Sequence, residues 1–123
     1  MHIDFQIDGE IVIVQLGGKF AAGSDVEFLR VKEGLAESGK RLVTVDCSQV
    51  PFLDSTALNF LVGVYTTTRN SGGNFALCGL NARMHEVLRI THLDQIIPNY
   101  DTREQALEAL RGPGGRAEAA AEV

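Results

Sequence analysis

The run Leu42-Val43-Thr44-Val45 constrains this chain most. It is too short and too rich in β-branched side chains for a helix, and its nearly continuous apolarity leaves no face for water. A strand of that kind belongs inside a parallel sheet, where other layers cover both faces. Helical patterns flank it. Upstream, Val26, Leu29, Leu35 and Ala36 fall near one helical face, Ser24-Asp25-Val26-Glu27 has the form of a capping box, and Gly39 supplies a stop signal. Downstream, Leu58, Leu61, Val62 and Tyr65 repeat at the i, i+3, i+4, i+7 spacing of an amphipathic helix, behind capping oxygens at Asp54-Ser55-Thr56.

The pattern extends in both directions. Ile3-Asp4-Phe5-Gln6-Ile7-Asp8 alternates with period two, as a strand with one buried face does. Asp8-Gly9 suits a tight turn, Ile11 to Leu16 is a second β-rich run, and Gly17-Gly18 closes the expected hairpin. Ser71-Gly72-Gly73-Asn74 breaks the central helix, and Phe75 to Leu80 reads as another buried strand. Asn81 is placed to cap a helix burying Met84, Val87 and Leu88, while Asp94-Gln95-Ile96-Ile97-Pro98 reads as a short final strand ended by proline. Thr102-Arg103-Glu104-Gln105 is a further capping box, ahead of the stripe Ala106, Leu107 and Leu110. The expected fold is α/β: a mixed, mainly parallel sheet opened by a β-hairpin, with helices packed on it. One domain is expected over residues 1–111. Gly112-Pro113-Gly114-Gly115 and the Ala/Glu-rich stretch after it hold no large apolar residue before Val123, so 112–123 is expected to be a disordered tail.

Composition narrows the function. With 123 residues, 45% hydrophobic and 22% charged, the chain suits one globular domain. No apolar run approaches the roughly 20 residues of a membrane span, and Met1-His2-Ile3-Asp4 lacks the basic and apolar regions of a signal peptide. A cytoplasmic protein without membrane insertion is expected. Sixteen acidic against eleven basic residues give a net charge of -5, the wrong sign for neutralising phosphates, so nucleic acid is not an expected partner. Cys47 and Cys78 form no CxxC pair and sit in apolar stretches, as buried thiols in a reducing compartment do.

Catalytic motifs fail on inspection. Gly17-Gly18-Lys19 is followed by Phe20, so it is no phosphate-binding P-loop, and no GxGxxG follows a strand. His85-Glu86 meets Arg89 where a zinc hydrolase needs its second histidine, and His2, His85 and His92 share no ligand spacing. Ser55 lies outside any GxSxG elbow. Neither enzymatic activity, a cofactor nor a metal is expected.

Pro51-Phe52-Leu53-Asp54-Ser55-Thr56-Ala57-Leu58 is the informative segment. At its plainest it is an apolar loop and a capped helix start. Its two hydroxyls nevertheless stand at a helix N-terminus, where the macrodipole and free amides tolerate a phosphate. A phosphate there would add a charge of about -1.5 to -2 beside Asp54, enough to oppose an acidic partner across a docking face.

At these residues the sequence resembles the STAS family, the domain of bacterial anti-sigma factor antagonists and of sulfate transporter tails. Asp54-Ser55-Thr56-Ala57-Leu58 is similar to the family's Asp-Ser-Ser/Thr-Gly-Leu motif, with Ser55 in the place of the phosphoacceptor. Leu42-Val43-Thr44-Val45-Asp46 looks like the family's central strand, Ser71 to Cys78 like its Gly-Gly turn and next strand, and Ile90 to Ile97 like its short helix-to-strand connection. The resemblance covers most of residues 3–110. It implies an anti-sigma factor antagonist that binds an anti-sigma factor which is also a serine kinase, releases a sigma factor, and is switched off by phosphorylation at Ser55 and reset by a serine phosphatase. It further implies a partner-binding surface at Asp54, Ser55, Thr56, Ala57 and Asn59, with no enzyme activity in this chain. Ala57 stands where the motif usually has glycine, and Ala21 where many antagonists carry an aspartate. These departures leave open a scaffold module of a stressosome-like or lipid-transport complex.

Overall fold

In the computed structural model, which describes residues 2–18, 23 and 25–111, Leu42 to Val45 lies in the middle strand of a five-stranded sheet. The strands are β1 (His2–Asp8), β2 (Ile11–Gly17), β3 (Leu42–Gln49), β4 (Asn74–Cys78) and β5 (Asn99–Tyr100), side by side in that order. The first pair is antiparallel and the other three are parallel, as expected for a mixed sheet opened by a hairpin. Asp8 pairs with Ile11, which leaves Gly9-Glu10 as the loop, with Gly9 at a φ of 62°.

Among the described residues, four helices, α1 (Asp25–Ser38), α2 (Ser55–Asn70), α3 (Ala82–Ile90) and α4 (Arg103–Arg111), cover the sheet. Alternation along each strand sorts its residues between two layers. Val12, Val14, Val43, Val45, Phe75 and Leu77 pack with residues of α1, α2 and α3 in one core. Ile11, Ile13, Ala76 and Cys78 pack with Ala106, Leu107 and Leu110 of α4 in a second. The final capping box forms as expected: Thr102 Oγ1 accepts the Gln105 N–H at 3.1 Å, and Gln105 Oε1 accepts the Thr102 N–H at 3.3 Å.

Four expectations need correction. β3 runs on to Gln49, because a register shift between Gln15 and Gly17 of β2 lets Gly17 pair with Gln49. α1 buries Phe28 and Val31, with Leu35 packed partly against them, and leaves Val26 and Leu29 exposed. The stripe 28, 31, 35 wins because Phe28 stacks on Phe60 of α2, with ring centroids 4.5 Å apart. On β1 the apolar face is half covered: Ile3 reaches the core, while Phe5 and Ile7 remain exposed at the sheet's edge. Residues 94–98 form no strand. The Leu93 carbonyl accepts the N–H groups of Ile96 and Ile97, closing a 3-10 turn over Leu93–Gln95 that plugs Ile97 into the core. Pro98 then offers its carbonyl to Leu77 N, and the last strand forms after the proline.

The Ser24 cap, Lys19 and Ala21, and the proposed tail 112–123 lie outside the described residues. No helix among the described residues is long and apolar enough to cross a membrane.

Candidate functional site

Residues 50–54 leave the carboxyl end of β3 and turn into α2, at the edge of the parallel strands where open α/β sheets offer their loops. Two apolar anchors seat this loop, since Val50 and Leu53 are buried. The Val50 N–H donates to the Cys47 carbonyl at 3.0 Å. From the neighbouring connection, Asn81 donates Nδ2–H to the Pro51 carbonyl at 2.7 Å while its Oδ1 accepts the Met84 N–H at 2.9 Å. One side chain thereby caps α3 and fastens the loop that leads into α2. Beside it, the Arg83 guanidinium lies over the Phe52 ring, 5.5 Å from the centroid.

Asp54 has the extended backbone of an N-cap, at φ -92° and ψ -177°. Its Oδ1 accepts the Ala57 N–H at 2.9 Å, and its carbonyl accepts the Leu58 N–H at 2.9 Å. The cap fixes the direction of the first helical turn. Ser55 and Thr56 occupy that turn with their side chains exposed, and Asn59 is exposed one turn later. The structure therefore brings Ser55, Thr56 and Asn59 to one accessible end of α2, beside the half-buried Asp54.

Ala57 departs from the expected partner surface. It is fully buried, and its N–H is used by Asp54, so its side chain belongs to the core. The helical period explains this: positions 57, 58, 61 and 64 form the buried stripe of α2.

Three contributors to this end of the molecule escape the sequence reading: Asn81 as a clamp, Arg83 over Phe52, and Asp46. The Asp46 carboxylate, buried just before the loop, accepts the Ser48 N–H at 2.9 Å through Oδ1 and Arg103 Nε–H at 3.0 Å through Oδ2. Burial works to raise its carboxyl, but the Ser48 and Arg103 hydrogen bonds and the Arg103 charge outweigh that and hold it below the ordinary value of 3.8. The available signal was an acidic residue on the Leu42-Thr44-Asp46 face of an otherwise apolar strand. Among the described residues, no group of three or more His, Cys, Asp or Glu side chains is placed to hold a metal ion.

Chemically, the arrangement presents an accessible hydroxyl in the first turn of α2, beside the carboxylate that caps that turn. Such a site suits modification by another protein's active site and recognition by a partner surface.

A family model described as STAS domain matches residues 2–106. A relative from Thermotoga neapolitana, named as a candidate anti-sigma factor antagonist homologue, is 38% identical over 74 residues, 60% of this chain and 66% of that one. The anti-sigma F factor antagonist of Paenibacillus polymyxa is 26% identical over 111 residues, covering 89% of this chain and 95% of that one. The crystal structure of a candidate anti-sigma factor antagonist from Thermotoga maritima superposes with a TM-score of 0.84 at 27% identity, over 89% of this chain and 95% of that one.

Proposed function

This chain belongs to the STAS domain family, and on that premise we propose that it is a cytoplasmic anti-sigma factor antagonist switched by phosphorylation at Ser55. The unmodified protein binds an anti-sigma factor that is also a serine kinase and thereby frees a sigma factor. The kinase ends the complex by phosphorylating Ser55, and a serine phosphatase restores binding. ATP belongs to the partner, and this chain is its substrate rather than an enzyme.

The observation that carries the proposal is the exposed Ser55 in the first turn of α2, beside an Asp54 whose carboxylate already caps that turn. Phosphate at this position sits at the positive end of the helix, so the fold tolerates it. The partner does not, because burial against the docking face requires a dianion to lose its water next to Asp54. Binding is thus sensitive to a change to which folding is indifferent.

The test is a pull-down from native lysate with wild type, Ser55→Ala and Ser55→Asp as parallel baits, with mass spectrometry of the captured proteins and of Ser55. Wild type and Ser55→Ala are expected to capture a serine kinase of the anti-sigma type, Ser55→Asp to lose it, and phosphate to appear on Ser55 of wild type. Equal affinity of that partner for unmodified and truly phosphorylated protein would sink the switch. Capture of a transporter or a multi-STAS assembly by all three baits would assign the chain to a scaffold instead.

A further inference from the structure

At the end of α2 remote from Ser55, the surface between the last turns of α1 and α2 opens into a cavity of about 370 Å³. Its floor is apolar: Val43 and Val64 are buried core residues, and Leu35 packs against the same core. Three cationic side chains, Lys32, Lys40 and Arg41, line it, and no carboxylate does. This is an uneven distribution for a chain of net charge -5.

The placement follows from local structure. Gly39, at a φ of 67°, ends α1 and turns the chain so that Lys40 and Arg41 pass beside the cavity into β3. The Arg41 main chain is fixed there, since its carbonyl accepts the Asn74 N–H at 3.0 Å. The ion pairs among the described residues are His2–Asp4, Glu86–Arg89, Asp46–Arg103 and Asp8–Arg111, and they use none of the three cations. The helix ends nearby carry partial negative charge, so without these cations the site would repel an anion. With them, it combines an apolar interior and a cationic border.

We propose that this cavity binds a single-chain amphiphilic anion. The apolar chain lies against Leu35, Val43 and Val64, and the anionic head meets Lys32, Lys40 and Arg41. The volume lies near the small end of the roughly 300–1,000 Å³ range of ligand pockets, which favours one short chain over a two-chain lipid. Charge selects the head: a neutral alcohol of the same length gains the apolar burial alone, and a cationic one meets repulsion. Ser55 lies at the other end of the helix, so occupancy leaves the proposed partner surface uncovered.

Sodium decanoate, kept below its micelle concentration, is the probe, titrated into the ¹⁵N-labelled full chain, with decanol and decyltrimethylammonium as comparison arms. Saturable shifts with one-to-one stoichiometry are expected at the amides of Leu35, Gly39, Val43 and Val64. Decanoate should bind at least roughly tenfold more tightly than decanol, and Lys40→Glu/Arg41→Glu should remove that advantage while leaving decanol binding and the melting temperature nearly unchanged. Equal binding of decyltrimethylammonium, shifts without saturation, or shifts centred on the exposed Phe5 and Ile7 or Ile90 and Ile96 would overturn the proposal. So would cavity resonances that move with protein concentration in the absence of probe, which would assign the cavity to a second copy of the chain.

Discussion

Arg103, at the start of α4, brings Nε to 3.0 Å and Nη2 to 2.9 Å of one carboxylate oxygen of Asp46 and reaches Gln6 Oε1 with Nη1 at 3.2 Å. A single guanidinium thereby ties the last helix to β1 and β3. The Asp46 side chain is only 7% exposed and that of Arg103 24%, so removing either partner leaves a poorly hydrated group behind.

Arg103→Ala is expected to destabilise the fold by about 3 kcal/mol at pH 7, measured by urea denaturation. The sign of the pH dependence follows from the lowered Asp46 carboxyl: its contribution is fully present above the unfolded value and is lost as pH falls through the lower folded value. The difference between wild type and Arg103→Ala should therefore shrink from pH 5 toward and below pH 3. A difference that stays constant over that range would show that the pair contributes nothing through charge.

Asp54→Ala removes the oxygen that accepts the Ala57 N–H and should cost about 1 kcal/mol, while Asp54→Ser or Asp54→Asn restores most of it. Ser55→Asp should leave stability unchanged or raise it by about 0.5 kcal/mol, because it adds a negative charge in the first turn of α2. Thermal melts of the four variants check this ordering. Loss of stability in Ser55→Asp comparable to Asp54→Ala would mean that lost partner binding cannot be separated from damage to the helix.

The paired glycines after α2 serve different purposes. A Cβ on Gly73 would lie 2.0 Å from the Arg41 carbonyl oxygen, a backbone atom engaged with the Asn74 N–H at the start of the β3–β4 pairing. Gly72 is needed for its φ of 84° and has only the tip of Arg41 nearby. Gly73→Ala should cost about 3 kcal/mol and Gly72→Ala about 1 kcal/mol. Urea midpoints in the reverse order would refute this division of roles.

Cys47 belongs to the core under α1, α2 and α3, and Cys78 to the core under α4, so the two thiols lie on opposite faces of the sheet. Burial, with the Asp46 charge adding to it, pushes the Cys78 thiol up to about 11, and burial pushes Cys47 up further. A thiol reagent at pH 8 should label neither residue in the native protein and both in denaturant. Rapid labelling of folded protein, or an oxidant-induced intramolecular disulfide, would contradict the assignment.

Much of this was legible in the chain. The continuous apolar run at Leu42 to Val45, the period-two and period-3.6 patterns around it, and the capping residues Asp54, Asn81 and Thr102 state their roles locally, because a strand's burial and a helix's first turn depend on neighbours in sequence. The same locality makes the capped Asp54-Ser55 helix start, the candidate site, readable from the chain. Other features were decided only when distant segments met. Which face α1 buries was settled by Phe28 finding Phe60, and where the last strand falls was settled by Pro98 and Ile97 meeting β4 and the core. The Asp46–Arg103 pair, the Asn81 clamp on Pro51 and the cationic cavity at the far end of α2 likewise join residues that no periodicity relates. Local pattern names most of the helices and strands and the hydroxyls at the start of α2; the last strand, the phase of α1, the long-range ties and the surfaces left open depend on contacts across the sheet rather than along the chain.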